Sequence, residues 1–173
     1  LYNLDKCSPA SRQTGRVIVV EGYMDVIALA QAGFADTVAP LGTALTEQQI
    51  HMLWRMTEKP LLCFDGDSAG QKASMRAALR ALPLLKPGHS LQFVTLPEGQ
   101  DPDDIVKSSG ATALTKLLEA SQPLVERLWR AEVASGPLDM PEDRAGLKQR
   151  LGAHTANIAD GEIRRHYADA FRE

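Results

Sequence analysis

Acidic residues recur in this chain just behind short apolar runs, where buried strands should end. Glu21 follows Val17-Ile18-Val19-Val20. Asp65 and Asp67 follow Leu61-Leu62-Cys63-Phe64, in the string Asp65-Gly66-Asp67. Asp101, Asp103 and Asp104 follow the strand-like Leu91-Gln92-Phe93-Val94-Thr95-Leu96. In an open parallel sheet the carboxyl ends of the strands line the crevice where ligands bind. Carboxylates delivered there from three strands repel one another, and they stay ionised only with a cation among them. Hard oxygen ligands of this kind suit Mg²⁺ or Mn²⁺. The spacing therefore points to a divalent-metal site on an α/β sheet, used for phosphate chemistry.

Each group alone has a plainer explanation. Glu21 beside Gly22 could simply complement a helix N-terminus. Asp65-Gly66-Asp67 could be a turn followed by a helix cap. The combination is stronger, because three strand ends bring carboxylates and no lysine or arginine lies within these turns.

The elements that must position these groups read as strands at 16–20, 36–39, 61–64 and 91–96, alternating with helices. Tyr23, Val26, Ile27 and Ala30 repeat at helical spacing before Gly33. Thr46 with Gln49 forms a capping box ahead of Ile50, Leu53 and Trp54. Asp67 or Ser68 caps a helix whose expected buried face is Met75, Leu79 and Leu82. Alternation of this kind implies a parallel sheet covered by helices on both faces. After Pro102 strand signals stop. Helical stripes follow at Leu114-Leu118, Leu124-Leu128, Leu147-Leu151 and Ile163-Tyr167. The expected division is 1–14 as a tail or the end of a preceding subdomain, 15–108 as the α/β domain, and 109–173 as a helical subdomain.

The 173 residues carry 44% hydrophobic and 24% charged side chains, the balance of a globular protein. No apolar run reaches transmembrane length and there is no signal peptide. Leu1 is not a start methionine, so an excised or processed fragment is expected. The net charge of −3 argues against a self-sufficient nucleic-acid clamp. Cys7 and Cys63 read as reduced thiols, with no CxxC pair and so no zinc ribbon. His51, His89, His154 and His166 show no ligand spacing. Lys72, Arg76 and Arg80 form one basic stripe, read either as phosphate contacts or as a solvated helix face. Arg127, Arg130, Arg164 and Arg165 read as surface charges.

Glu21-Gly22 followed by Asp65-Gly66-Asp67 after a further α/β unit resembles the signature of the Toprim domain. Longer strings narrow the resemblance. Val20-Glu21-Gly22-Tyr23-Met24-Asp25-Val26, Leu41-Gly42-Thr43-Ala44-Leu45-Thr46, Asp65-Gly66-Asp67-Ser68-Ala69-Gly70 and Leu96-Pro97-Glu98-Gly99-Gln100-Asp101-Pro102-Asp103-Asp104 are similar to those of bacterial replicative DNA primases. The resemblance runs from about residue 15 to about residue 108, and implies a Toprim-type parallel sheet flanked by helices, followed by a helical subdomain. It implies catalytic roles for Glu21, Asp65 and Asp67, and adds Asp101 and Asp103 as a second acidic pair that completes a metal cluster. Asp25 and Asp104 are possible additional acids. Asp25 could equally be a first-turn helix aspartate, and Asp104 could equally cap the helix of Ile105 and Val106.

The implied activity is metal-dependent nucleotidyl transfer, making short RNA primers on single-stranded DNA from ribonucleoside triphosphates. The implied setting is cytoplasmic, at a bacterial replication fork, with no membrane. A replicative helicase and single-strand binding protein would be met through other parts of the parent. Zinc is implied only for a parent module that this chain lacks, and no organic cofactor site is implied. A Toprim nuclease or topoisomerase piece, and a non-catalytic metal- or nucleotide-binding module, are the competing readings. The chain alone is expected to hold metal but to prime poorly, because the family's basic segment is missing.

Overall fold

A computed structural model describes residues 1–42 and 44–172. Thr43, inside one of the family-like strings, and Glu173 lie outside the described residues. Four of the apolar runs form strands: β1 (Ile18–Val19), β2 (Thr37–Val38), β3 (Leu61–Leu62) and β4 (Gln92–Phe93). All four run parallel, with Val19 opposite Val38 on one side and Leu62 on the other. A fifth strand, β5 (Gln122–Pro123), pairs antiparallel with β4 and closes the order β2-β1-β3-β4-β5. The sequence pattern shows no strand there, because two residues carry no alternation. Proline, lacking an N–H, is tolerated at a sheet edge.

The helices are α1 (Leu4–Thr14), α2 (Tyr23–Gln31), α3 (Glu47–Met56), α4 (Ser68–Ala81), α5 (Pro102–Glu119), α6 (Leu124–Ala134), α7 (Pro141–Ala156) and α8 (Gly161–Arg172). Residues 1–14, expected as a tail or the end of a preceding element, thus contain α1. None of the described helices is long and apolar enough to cross a membrane. Alternation along the strands builds two cores. Val17, Val19, Leu62, Phe64 and Phe93 pack with α3, α4 and α6. Ile18, Val20, Cys63, Val94 and Leu96 pack on the other face with α2 and α5. Each fully buried aliphatic side chain contributes about 1.5–3 kcal/mol, so the strands that deliver the carboxylates are well anchored.

Local expectations hold unevenly. The Thr46–Gln49 capping box forms in both directions, at 2.9 and 3.1 Å, and Ile50, Leu53 and Trp54 are buried. In α2 the buried face is Asp25, Val26 and Leu29, whereas Tyr23 and Ile27 are exposed. Tyr23 instead meets Tyr2 edge-on, with ring centroids 6.2 Å apart. In α4 the inward face is small: Gly70, Ser74, Ala77, Ala78 and Ala81, with Leu79 outside. A reading weighted by bulk misses a helix that lies close to its sheet through alanines.

Asp36 is the most buried acid among the described residues, at 1% exposure. It accepts from Arg16 Nε at 2.7 Å, Arg16 Nη2 at 3.2 Å and Thr14 Oγ1 at 2.8 Å, tying the end of α1 to the start of β2. Arg16 also lies over the Phe34 ring. Asp36→Ala should cost about 3 kcal/mol in urea unfolding, because it strands a partly buried guanidinium. Arg16 keeps 30% exposure, which places the effect at the lower end for such pairs. A loss under about 1 kcal/mol, the size of an exposed pair, would show that water replaces the partner.

Candidate metal centre

Three loops leave the carboxyl ends of β1, β3 and β4 and meet. From β1, Glu21 reaches across to β3, where its Oε1 accepts the Asp65 N–H at 3.1 Å. From β3, Asp67 turns into α4 and caps it, its Oδ1 accepting the Gly70 N–H at 2.7 Å. The loop behind β4 is zipped to that turn. Gly66 N–H donates to Gln100 O at 2.8 Å, and Gly99 N–H donates to Gly66 O at 3.4 Å. A Cβ on Gly66 would fall onto the Pro97 carbonyl, and one on Gly70 onto the Asp65 carbonyl. The two glycines of Asp65-Gly66-Asp67-Ser68-Ala69-Gly70 are therefore needed for close approach.

That clasp delivers the start of α5. Asp101 is the N-cap: its Oδ1 accepts the Asp104 N–H at 2.8 Å, and Asp104 Oδ2 accepts the Asp101 N–H at 3.0 Å. Asp104, expected as a possible cap, is the other half of this box. The Asp103 N–H donates to Asp25 Oδ1 at 3.4 Å, so α2 and α5 meet through a carboxylate. Glu21, Asp25, Asp65, Asp101 and Asp103 thus stand partly or fully buried at this end of the sheet, whereas Asp67 and Asp104 are exposed at the rim.

The electrostatics record the crowding. Burial first, then Glu21, Asp25, Asp101 and Asp67, push the Asp65 carboxyl up to about 7. Burial first, then chiefly Asp101, push Asp25 up to about 6, although the Asp103 N–H pulls it down. Beneath them the Cys63 thiol is pushed up to about 12 by burial and then by the Asp25 and Asp65 charges, so it stays protonated. Asp65 Oδ1 and Asp103 Oδ1 are buried without a hydrogen-bond partner. Unpartnered buried carboxylate oxygens are costly, and oxygen donors of this charge density fit a hard divalent cation. Among the described residues no group of three or more His, Cys, Asp or Glu is arranged to hold a metal ion. A cation would have to draw the loops inward.

Cations stand closer than the sequence suggested. Lys107 Nζ pairs with Asp103 Oδ2 at 3.0 Å. Its i, i+4 spacing is a local signal that the search for cations within the turns passes over. The basic stripe of α4 divides. Arg76 lines a cavity of about 260 Å³ together with Glu21, Leu45 and Phe64. Arg80 Nη1 donates to Leu45 O at 2.8 Å, and Lys72 is exposed. Arg127 is not a plain surface charge: it is half-buried and bonds Ser74 Oγ and Gln71 Oε1 on α4.

A profile described as the Toprim domain matches residues 15–95. The DNA primase of Rickettsia bellii is 42% identical over 173 residues, which is all of this chain and 29% of that protein. The chain carries a Toprim domain of the bacterial DNA primase family. A DNA primase domain from Pseudomonas aeruginosa superposes with a TM-score of 0.89 at 38% identity, covering 96% of this chain and 52% of that one. The DnaG primase catalytic domain bound to ssDNA superposes with a TM-score of 0.87 at 35% identity, covering 98% and 55%. Against full-length primases the chain spans under a third, and against these catalytic domains about half.

The raised carboxyls set a pH dependence for the metal-free protein. The folded values of about 7 and about 6 exceed the ordinary 3.8, so the folded state holds more protons between them. Stability should therefore fall as pH rises through about 4 to 7. Thermal melts in EDTA should show a lower Tm at pH 8 than at pH 5.5, Asp65→Asn should reduce the drop, and Mn²⁺ should restore Tm at pH 8. A flat profile in EDTA would contradict the crowding.

Proposed function

We propose that this chain is the metal-binding part of the catalytic core of a DNA primase. The observation that carries the reading is the pair of unpartnered buried oxygens, Asp65 Oδ1 and Asp103 Oδ1, at the meeting point of three acidic loops. Glu21, Asp65 and Asp67 take the catalytic positions, Asp101 and Asp103 the second acidic pair, with Asp25 and Asp104 as supporting acids. Mg²⁺ or Mn²⁺ held there would neutralise a triphosphate and acidify an attacking 3′-hydroxyl. The chain's own residues do the rest. Glu21 fixes the Asp65 turn, and Asp25 holds the first turn of α5 in place. Lys107 and Arg76, bordering the carboxylates, offer cations to phosphate oxygens, and Lys72 and Arg80 extend that line along α4.

The substrates would be ribonucleoside triphosphates and a single-stranded DNA template, a reading supported by the related domain solved with ssDNA. Zinc, helicase and single-strand-binding-protein contacts belong to other parts of a parent primase, working at a replication fork in the bacterial cytoplasm. Residues 15–108 would form the Toprim unit and 109–173 the helical appendage. The break in α5 at Gly110, with φ 81°, lies next to that division.

A parent-length protein carrying Asp65→Asn should lose roughly a hundredfold or more of primer synthesis while its melting profile stays cooperative. The 173-residue chain should synthesise far less than one extended at its N-terminus, because template grip depends on neutralising phosphates and this chain carries −3 net charge. Undiminished synthesis by the Asp65→Asn protein would overturn the site. Equal synthesis by the two chain lengths would overturn the reading of the charge.

A further inference from the structure

A cavity of about 590 Å³ opens ahead of the amino end of β4, whereas the carboxylates stand at the carboxyl ends of the strands. Its walls are α3 and the turn ahead of β4. Trp54 Nε1 donates to Ser90 O at 2.9 Å and locks the two together. The rings of His51 and His89 each meet Trp54 edge-on, 5.7 Å from its centroid. The turn bends at Gly88, whose φ of +83° suits glycine, and it brings Lys86 to the same rim. Gln48, Met52 and Arg55 complete the lining. Among the described residues no Asp or Glu lines the cavity, and the side chains of Arg55 and Lys86 make no hydrogen bond or ion pair. Glu58 stands behind Gly88, outside the lining, its Oε2 3.5 Å from where a Cβ would be.

This is the reverse of the carboxylate centre. In a chain of net charge −3, two unpaired cations and two imidazoles share one hollow. A guanidinium takes a phosphate bidentately. Flat rings at the wall accept a base, a pairing that tolerates any sequence. The hollow is too large for a bare phosphate and falls within the range of small-molecule sites. We propose that it is a second nucleotide site that works without metal, with Arg55 and Lys86 on the phosphate and His51 and His89 against the base. The nucleotide is either free or one unit of a single strand. This does not rest on the primase reading, since the carboxylates take no part.

The test is a set of NMR titrations of the 173-residue chain in EDTA at low salt, following the His51 and His89 imidazoles and the Trp54 indole N–H. ATP and a short oligothymidylate are the probes. Saturable shifts with ATP assign a free nucleotide, and shifts with the oligomer alone assign a strand. Either supports the site, and Asp65→Asn should leave the affinity unchanged. The double variant Arg55→Glu/Lys86→Glu should bind about tenfold more weakly or worse. The neutral pair Arg55→Gln/Lys86→Gln gives the same reading should the charge reversal disturb folding. No saturable shift with either probe, or the same affinity in the folded double variants, would overturn the proposal.

Discussion

Mutual repulsion among Glu21, Asp25, Asp65, Asp101 and Asp103 is the force that the surrounding structure must resist. Like charges gathered in a half-buried crevice would drive the loops apart if those loops were held only by their side chains. They are held by backbone instead. The Gly66–Gln100 and Gly99–Gly66 hydrogen bonds fasten the β3 turn to the β4 loop, and the Asp65 N–H is fastened to Glu21. Two capping interactions, by Asp67 and by Asp101, use carboxylate charge to start α4 and α5. The same acids that repel one another thus also satisfy helix N-termini, where negative charge is favourable.

The sheet supplies the counterforce. Val17 to Val20 fill both cores by alternation, so β1 cannot shift without exposing one set of side chains. The small inward face of α4 lets that helix lie close to the sheet, and this fixes where the turn after Asp65 emerges. Burial first, and then repulsion that backbone and packing do not relieve, leave raised carboxyls at Asp25 and Asp65, and Asp65 and Asp103 each keep an unpartnered oxygen. The metal site proposed above would relieve these together, since a divalent cation offers the charge that the carboxylates lack.

Much of this was legible in the residues. Buried strands announce themselves as continuous β-branched runs, and acids placed directly behind them locate the crevice. The Thr46–Gln49 box is a local signature and forms as read. What stayed hidden depends on tertiary partners. Asp25 sits on a helix face that is buried only because α5 packs there. The Lys107–Asp103 pair is the exception, because its i, i+4 spacing is local to α5. Gly66 reads as an ordinary turn glycine until Pro97 lies against it. The Trp54 cavity joins residues more than thirty positions apart, and Pro123 in β5 carries no strand pattern.

The most direct measurement is anomalous diffraction at the manganese edge from crystals of the chain grown with Mn²⁺. The expected result is an anomalous peak within coordination distance of Asp65 Oδ1 and Asp103 Oδ1, with Glu21 or Asp101 in its shell and none when Asp65 is replaced by Asn. Manganese bound elsewhere, with these two oxygens still unpartnered, would contradict a metal centre built by the three loops.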